Sequence, residues 1–385
     1  MNIKINEIIK DCERFIIKNE FESYDPFDAL TNNHINRLTK NKVLLRRIAI
    51  QLVSKSPFDL HWLGMKKMLH TKTISDLICF YSINGKGSSL EINQFFELLM
   101  KKKSVNGFGW GLNFPYTSRF VDASAEIPNL YNTSNAGIAI CYSFPYLNDK
   151  NKLIAREAIN GIIAFMESEL GYIDEISKSW YSYYPHQKYP VYNVNALTIY
   201  FLSFVKKLEL YDSAFLDTRI RAIINLLSNE QENDGSWFYS RSNKGKWVDG
   251  FHTGFILESL AFAYKEGYAK ELEEMILKGR AFYINKMFTK EGYPKLFLRS
   301  YKYPIESQNC AQAIQTLANL GIWLNWEQNK LLNQVLKISI DVLYDKKGYF
   351  IHKKTKFFTY KKPYIRWSIT PMMLALRFAM LYFEK

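Results

Sequence analysis

Apolar residues recur at spacings of three and four along much of the chain, and polar turn residues separate the segments that carry them. "LIAREAINGIIAFMESEL", "NALTIYFLSFVKKLEL", "RIRAIINLLSNE", "FILESLAFAYKEG" and "CAQAIQTLANLGIWL" all show this pattern, which is that of helices with at least one buried face. Asn, Asp, Gly and Ser gather between them, and strand-like alternation is weak. A second, longer rhythm lies over the first. A glycine one or two residues before an aromatic residue closes successive helical blocks: "GFGW" at Gly107, "GYID" at Gly171, "DGSW" at Gly235, "EGYP" at Gly292 and "KGYF" at Gly348. The period is about sixty residues, room for two helices and two loops.

A hairpin of two amphipathic helices cannot bury both apolar faces alone, so such hairpins must stack. A chain of 385 residues holds roughly six of them, and closing six into a ring also covers the terminal units. The pattern therefore predicts an all-α fold, an α/α toroid of about six helical hairpins in one domain spanning 1–385. Inner helices are expected to begin near residues 133, 193, 253, 309 and 368. Residues 1–104 fit the rhythm less well and are read as less typical N-terminal hairpins.

Composition agrees with a large core: 48% of residues are hydrophobic, with 18 Gly and 11 Pro, which is not a disordered composition. The net charge of +14 would suit nucleic acid, a membrane surface or an acidic ligand. No Arg-rich run or nucleic-acid motif accompanies it, so nucleic acid is not the expected partner. Cys12, Cys79, Cys141 and Cys310 are isolated and lack metal-ligand spacing. They read as buried thiols in a reducing compartment. The first residues alternate charge with apolar positions and have no unbroken apolar core of a signal peptide. No stretch reaches the length of a membrane span, although "PMMLALRFAMLYF" is apolar. The expectation is a cytoplasmic protein without stable membrane insertion.

Several stretches resemble a known family. "SNEQENDGSWFYS" resembles the Gln-x-x-x-Gly-x-Trp motif at the ends of outer helices in α/α-toroid proteins, the architecture of squalene cyclases and six-hairpin glycosidases. The longer run "DGSWFYSRSNKGKWVDGFHTGFILESL", with "IESQNCAQAI" and "KPYIRWSITPMMLAL", is similar to six-hairpin glycosidase-like proteins of bacterial surface-polysaccharide gene clusters. The resemblance covers residues from about 105 onward and speaks to fold more than to reaction. It implies a carbohydrate-active enzyme, hydrolase-like, acting on a sugar or oligosaccharide, acidic ones included, in surface-polysaccharide metabolism. A sugar epimerase and a non-catalytic glycan-binding or assembly factor are the rivals.

In a toroid, loops at one end surround a cavity, so polar residues at loop-to-inner-helix junctions are the site candidates. "WVDGFHTGFILESL" puts Trp247, Asp249, His252 and Glu258 at such a junction. Asp249 or Thr253 could simply cap the helix, but a cap alone does not call for an indole, a carboxylate and an imidazole together. The "VDGF" portion is similar to the loop of unsaturated glucuronyl hydrolases, which implies Asp249 as general acid and base. "HTGFILE" is similar to a His-x-Gly-x-x-x-Glu stretch of N-acylglucosamine 2-epimerases, which implies His252 moving a proton beside a carbonyl, with Glu258 holding its ring. Phe255 stands where those epimerases usually carry a second His, so that reading comes second. Glu258, nearly two turns down the helix, is expected to orient polar groups above it.

Hydrolysis by two carboxylates needs a second acid near the first. Asp122 and Glu126 are the candidates, with Arg119 beside them as a substrate contact. "YYPHQKYPVYNVNAL" supplies Tyr192 for stacking and Asn195 for paired hydroxyls, along with His186. Glu306 and Gln308 precede another inner helix where relatives tend to show Asp and His. Arg366 offers a fork for a substrate carboxylate, and Trp367 a face for a sugar ring. The acidic motif of triterpene cyclases, the zinc ligands of toroid lanthipeptide cyclases, phosphate loops and dinucleotide fingerprints have no counterparts here. Neither cofactor nor metal is implied.

Overall fold

The computed structural model of the chain describes residues 2–83, 87–104, 107–175, 178–185 and 187–385. The helices in chain order are α1 (Asn2–Lys18), α2 (Asn33–Leu38), α3 (Val43–Lys55), α4 (Thr71–Ser82), α5 (Ser89–Lys101), α6 (Leu130–Ser143) and α7 (Asp149–Phe165). They continue with α8 (Tyr192–Lys207), α9 (Ser213–Asn229), α10 (Gly250–Ala263), α11 (Ala269–Lys286), α12 (Ser307–Leu324), α13 (Asn329–Leu343) and α14 (Thr370–Glu384). Strands among the described residues are fragments of two to four residues in the connecting loops, paired as local hairpins except that Ile305–Glu306 joins Lys353–Lys354 and Thr359–Tyr360.

Six helices form the inner ring. α4, α6, α8, α10, α12 and α14 pack in that order, and α14 closes the circle against α4. Inner helices are buried on every side: α8 is buried without a break from Tyr192 to Val205. The outer helices α5, α7, α9, α11 and α13 each pack on the inner helix that precedes them, using one apolar face. On α9 that face is Leu216, Ile220, Ile223, Ile224 and Leu227, a helical stripe. α1, from the start of the chain, packs on the last inner helix, α14. The observed inner-helix starts at 130, 192, 250 and 307 lie close to the expected positions, and a wide turn at Ile365–Ile369 leads into α14. The first inner helix, α4, and the α1–α14 pairing are what the rhythm did not show. One apolar core cluster runs from Ile5 to Met380, and the four cysteines are buried and free.

The glycine-aromatic marks have a physical cause. Gly171, Gly235, Gly292 and Gly348 all adopt φ between 87° and 90° after an outer helix, a region that a Cβ disfavours. The Trp of two marks then folds back under the helix just completed. The Trp110 indole N–H donates to the Leu99 carbonyl on α5, and that of Trp237 to Leu227 on α9. Gln231 of the recognised motif bridges two hairpins by donating to the carbonyls of Gly235 and of Met275 on α11. Trp237 also lies on Gly279 of α11, where any Cβ would meet the ring at 2.7 Å. The motif is thus a structural tie between neighbouring hairpins.

Residues between α1 and α4 form a cap, with α2 and α3 over a small apolar cluster of Ala29, Leu30, Ile50, Val53 and Met65. It is latched to the ring by the buried pair of Asp25 and Arg366.

Because Trp237 is only 2% exposed and joins two hairpins, Trp237→Ala is expected to destabilise the protein by about 4 kcal/mol. Trp237→Phe keeps most of the ring and loses the N–H bond, for about 1 kcal/mol plus a small volume term. Urea unfolding of the two variants, read by circular dichroism, checks the order and the size.

Candidate functional site

First turns of four inner helices, together with the segment leading into the fifth, converge on one cavity of about 1390 Å³. Tyr131 and Asn132 of α6, Asn193 and Val194 of α8, Phe251 and His252 of α10, and Gln308 and Asn309 of α12 line it, with Arg366 and Trp367 completing the circuit before α14. The cap contributes α3 as one wall, and Tyr116 to Val121 form part of the rim.

The junction before α10 is both a helix cap and a polar cluster. Asp249 is the N-cap residue of α10: its Oδ1 accepts from the His252 backbone N–H at 2.8 Å. Its Oδ2 accepts from the Trp247 indole at 2.9 Å and contacts His252 Nδ1 at 2.6 Å. Burial alone would raise this carboxyl, but the charge and hydrogen bonds of His252 and the bond from Trp247 outweigh it and hold the pKa below the ordinary carboxylate value. An ionised Asp249 fixes the proton on Nδ1 and leaves Nε2 as the free nitrogen of a half-buried ring. Tyr239 stacks on Trp247 with centroids 4.5 Å apart, and the Arg119 guanidinium lies 5.5 Å from the Trp247 ring.

The second carboxyl of the cavity is Glu306, which occupies the same position before α12 that Asp249 occupies before α10. Its side chain makes no cap bond and instead accepts from the Trp367 indole at 2.9 Å. Burial pushes its pKa up, and the charge of Asp249 adds to that; the bond from Trp367 and the charge of Lys353 act against it. Around these groups the side-chain carbonyl oxygens of Asn193, Gln308 and Asn309 are buried without a protein partner among the described residues.

Other expected site residues are placed elsewhere. Asp122, an exposed residue of the hairpin of 116–123, accepts from Thr117 and pairs with Arg46 at 3.1 Å, so it braces the cap. Glu126 is exposed and lies outside the cavity lining. Neither lines the cavity. Asn195 is fully buried, with its amide taken up by the backbone of Tyr181 and Val191. The Tyr192 hydroxyl donates to Glu230, and the ring does not line the cavity. Arg366 borders the cavity but is bound by Asp25, so its charge is neutralised within the protein. His186 lies outside the described residues.

Glu258 does not reach His252 or Asp249. It sits lower in the barrel and accepts from Gln312 and Asn319 at 2.7 Å each, beside a cavity of about 70 Å³ that Tyr131, Phe251 and Gln308 border from above. Burial raises its pKa to about 7 against the pull of those two amides. Residues the sequence reading passed over are Asn132, Asn193 and Asn309, Tyr183 and Tyr239, and the α3 wall. The available signal was a polar residue in the first turn of each otherwise apolar inner helix. Among the described residues no group of His, Cys, Asp and Glu is arranged to hold a metal ion.

No family model and no curated protein sequence matches the chain. Solved structures do. A sugar epimerase from a ruminal bacterium superposes with a TM-score of 0.63 at 12% identity, over 81% of this chain and 87% of that one. The cellobiose 2-epimerase of Bacillus thermoamylovorans gives 0.62 at 11% identity, over 82% and 87%. A family 76 α-mannanase of Bacteroides thetaiotaomicron gives 0.59 at 11%, also over 82% and 87%. The chain has the six-hairpin α/α-toroid fold that these structures share.

Glu258 makes a stability prediction with a definite sign. A carboxyl whose folded pKa is raised keeps its proton in the folded state, so the stability it contributes is full below the unfolded pKa and declines as pH rises. From 4.5 to about 7, the decline is about 3 kcal/mol. Wild-type protein is expected to lose that much unfolding free energy between these pH values relative to Glu258→Gln, measured by urea titration of both across the range.

Proposed function

We propose that this chain is a carbohydrate-active enzyme of the glycoside-hydrolase type, with Glu306 as general acid and His252, oriented by Asp249, as general base. The observation that carries the reading is the contrast between the two carboxyls at one cavity: Asp249 held ionised by His252 and Trp247, Glu306 raised by burial. Two carboxyls whose environments push their pKa values apart mark out different roles. A carboxyl that keeps its proton can deliver it to a leaving glycosidic oxygen. An imidazole whose Nδ1–H is fixed on a carboxylate can take a proton from water through Nε2. Asp249 therefore positions the base, in place of the direct acid-base role that the resemblance implied.

The rest of the cavity fits a sugar. The Tyr239–Trp247 stack offers aromatic faces to the C–H face of a pyranose. The free amide oxygens of Asn193, Gln308 and Asn309 can each accept from a hydroxyl. A volume of about 1390 Å³ exceeds the usual small-ligand pocket of roughly 300–1,000 Å³, which favours an oligosaccharide. Metabolism of a surface polysaccharide is the setting we infer from the sequence resemblance.

A sugar epimerase is the second reading, favoured by the fixed His252 imidazole and by the epimerase structures of the same fold. It would exchange solvent deuterium into the sugar without cleaving it. A binding protein would show no turnover and would keep its affinity after Glu306→Gln.

On an oligosaccharide that is turned over, Glu306→Gln, His252→Ala and Asp249→Asn are each expected to lower kcat by about 10²-fold or more. An aryl glycoside with a good leaving group should restore much of the Glu306→Gln loss and little of the His252→Ala loss. The wild-type rate should fall on the alkaline side as Glu306 ionises, and that limb should vanish in Glu306→Gln with the aryl substrate. Turnover within about threefold of wild type for both Glu306→Gln and His252→Ala, short of acid-base magnitudes, would place the chemistry elsewhere.

A further inference from the structure

α3 is apolar on two faces. One, with Ile50 and Val53, is buried in the cap. The other carries Leu44, Ile48 and Leu52 at successive spacings of four, and it is turned outward: Leu44 is 65% and Leu52 64% exposed. Phe58 and Trp62, on the loop after α3, are 75% and 76% exposed. Large apolar side chains exposed together on one short segment of the cap mark a contact surface. Leu44, Ile48 and Leu52 border the cavity, whereas Phe58 and Trp62 do not, so a sugar within the cavity does not account for the whole patch.

Charge identifies the occupant. Between Asn33 and Lys67 the sequence carries eight Lys and Arg and a single acid, Asp59. Of these, Lys40, Lys42, Lys55, Lys66 and Lys67 are exposed around the apolar residues. A second copy of so basic a patch would repel the first. Leucine, isoleucine and an exposed Trp ringed by Lys and Arg are instead the composition of a helix that lies in the interface of an anionic bilayer. Among the described residues no helix is long and apolar enough to cross a membrane, so the contact is peripheral.

We propose that the α3 cap is a docking surface for anionic lipid bilayers, seating Leu44, Leu52, Phe58 and Trp62 among the acyl chains and the surrounding lysines on the headgroups. Since α3 is also a wall of the cavity, docking brings the cavity mouth to the membrane surface, where a membrane-attached glycan is in reach. Binding to lipid does not depend on the reaction proposed above.

The test is co-sedimentation of the full chain with vesicles of phosphatidylcholine alone or of phosphatidylcholine mixed with phosphatidylglycerol. Wild type is expected to pellet with the mixed vesicles, to stay in solution with phosphatidylcholine alone, and to be released by salt. The triple change Leu44→Ser, Leu52→Ser and Trp62→Ser should lower the partition coefficient more than about tenfold. Lys40→Glu with Lys42→Glu should lower it about thirtyfold or more. All five positions are exposed, and circular dichroism checks the folding of both variants. The proposal is overturned if wild type ignores the anionic vesicles, or if either folded variant binds as well as wild type. A concentration-dependent dimer in light scattering that the triple change abolishes also overturns it, and gives the patch to a second copy.

Discussion

Inner helices that all enter the barrel from one end must bring their N-termini together there. Each first turn leaves backbone N–H groups without a helical partner, and the positive ends of the helix dipoles point toward the same space. That end cannot be apolar. The chain meets the demand with a ring of polar side chains near the same place in successive repeats, Asn132, Asn193, His252, Gln308 and Asn309, above a barrel whose apolar packing encloses a few buried polar groups such as Glu258, Gln312 and Asn319. The cavity and its chemistry follow from the direction in which the helices run.

Closing the ring makes a different demand. α14 meets α4 across most of the length of the chain, and the seam is polar as well as apolar. Thr370 donates to Asp76, Lys72 pairs with Asp76, and Arg366 pairs with Asp25 of the cap. Buried pairs of this kind contribute little net stability, because desolvation offsets the attraction. Breaking one partner leaves a buried charge, however, so the pairs discriminate against misregistered closure. They also fix the cap relative to the cavity, since Asp25 leads into the cap and Arg366 borders the site.

The ring was legible in the sequence because its signal repeats: Gly171, Gly235, Gly292 and Gly348 share one left-handed conformation, and each separates two strongly apolar helices. α4 was not, because Gly64, the left-handed glycine ahead of it, is followed closely by no aromatic residue and the cap interrupts the rhythm. Within the site, Trp247, Asp249 and His252 were legible because they are neighbours in sequence. The place of Glu306 at the same cavity was not, since it lies on a different hairpin from Asp249. Asp122 and Glu126 misled because a carboxylate in a polar loop has no local mark to say whether it faces a cavity or solvent. Asn195 misled by geometry. Two residues along a helix turn the side chain by about 200°, so Asn193 looks into the cavity while Asn195 holds the backbone of Tyr181.

Helix capping therefore does not exclude a further role for the carboxylate at the junction before α10. A carboxylate at an N-cap is held by its own helix through one oxygen, and the other is then fixed in space at no further conformational cost. On Asp249 that second oxygen meets the His252 ring and the Trp247 indole, so the imidazole inherits the rigidity of the helix. Glu306 stands at the equivalent place before α12 but bonds Trp367 from the next repeat and leaves its own helix uncapped. The longer side chain carries the carboxyl away from the first-turn amides that would have kept it ionised, and into surroundings that raise its pKa. One methylene of difference at a repeated position separates an anchored anion from a group able to hold a proton, and the repeat sets the two on adjacent inner helices facing the same cavity.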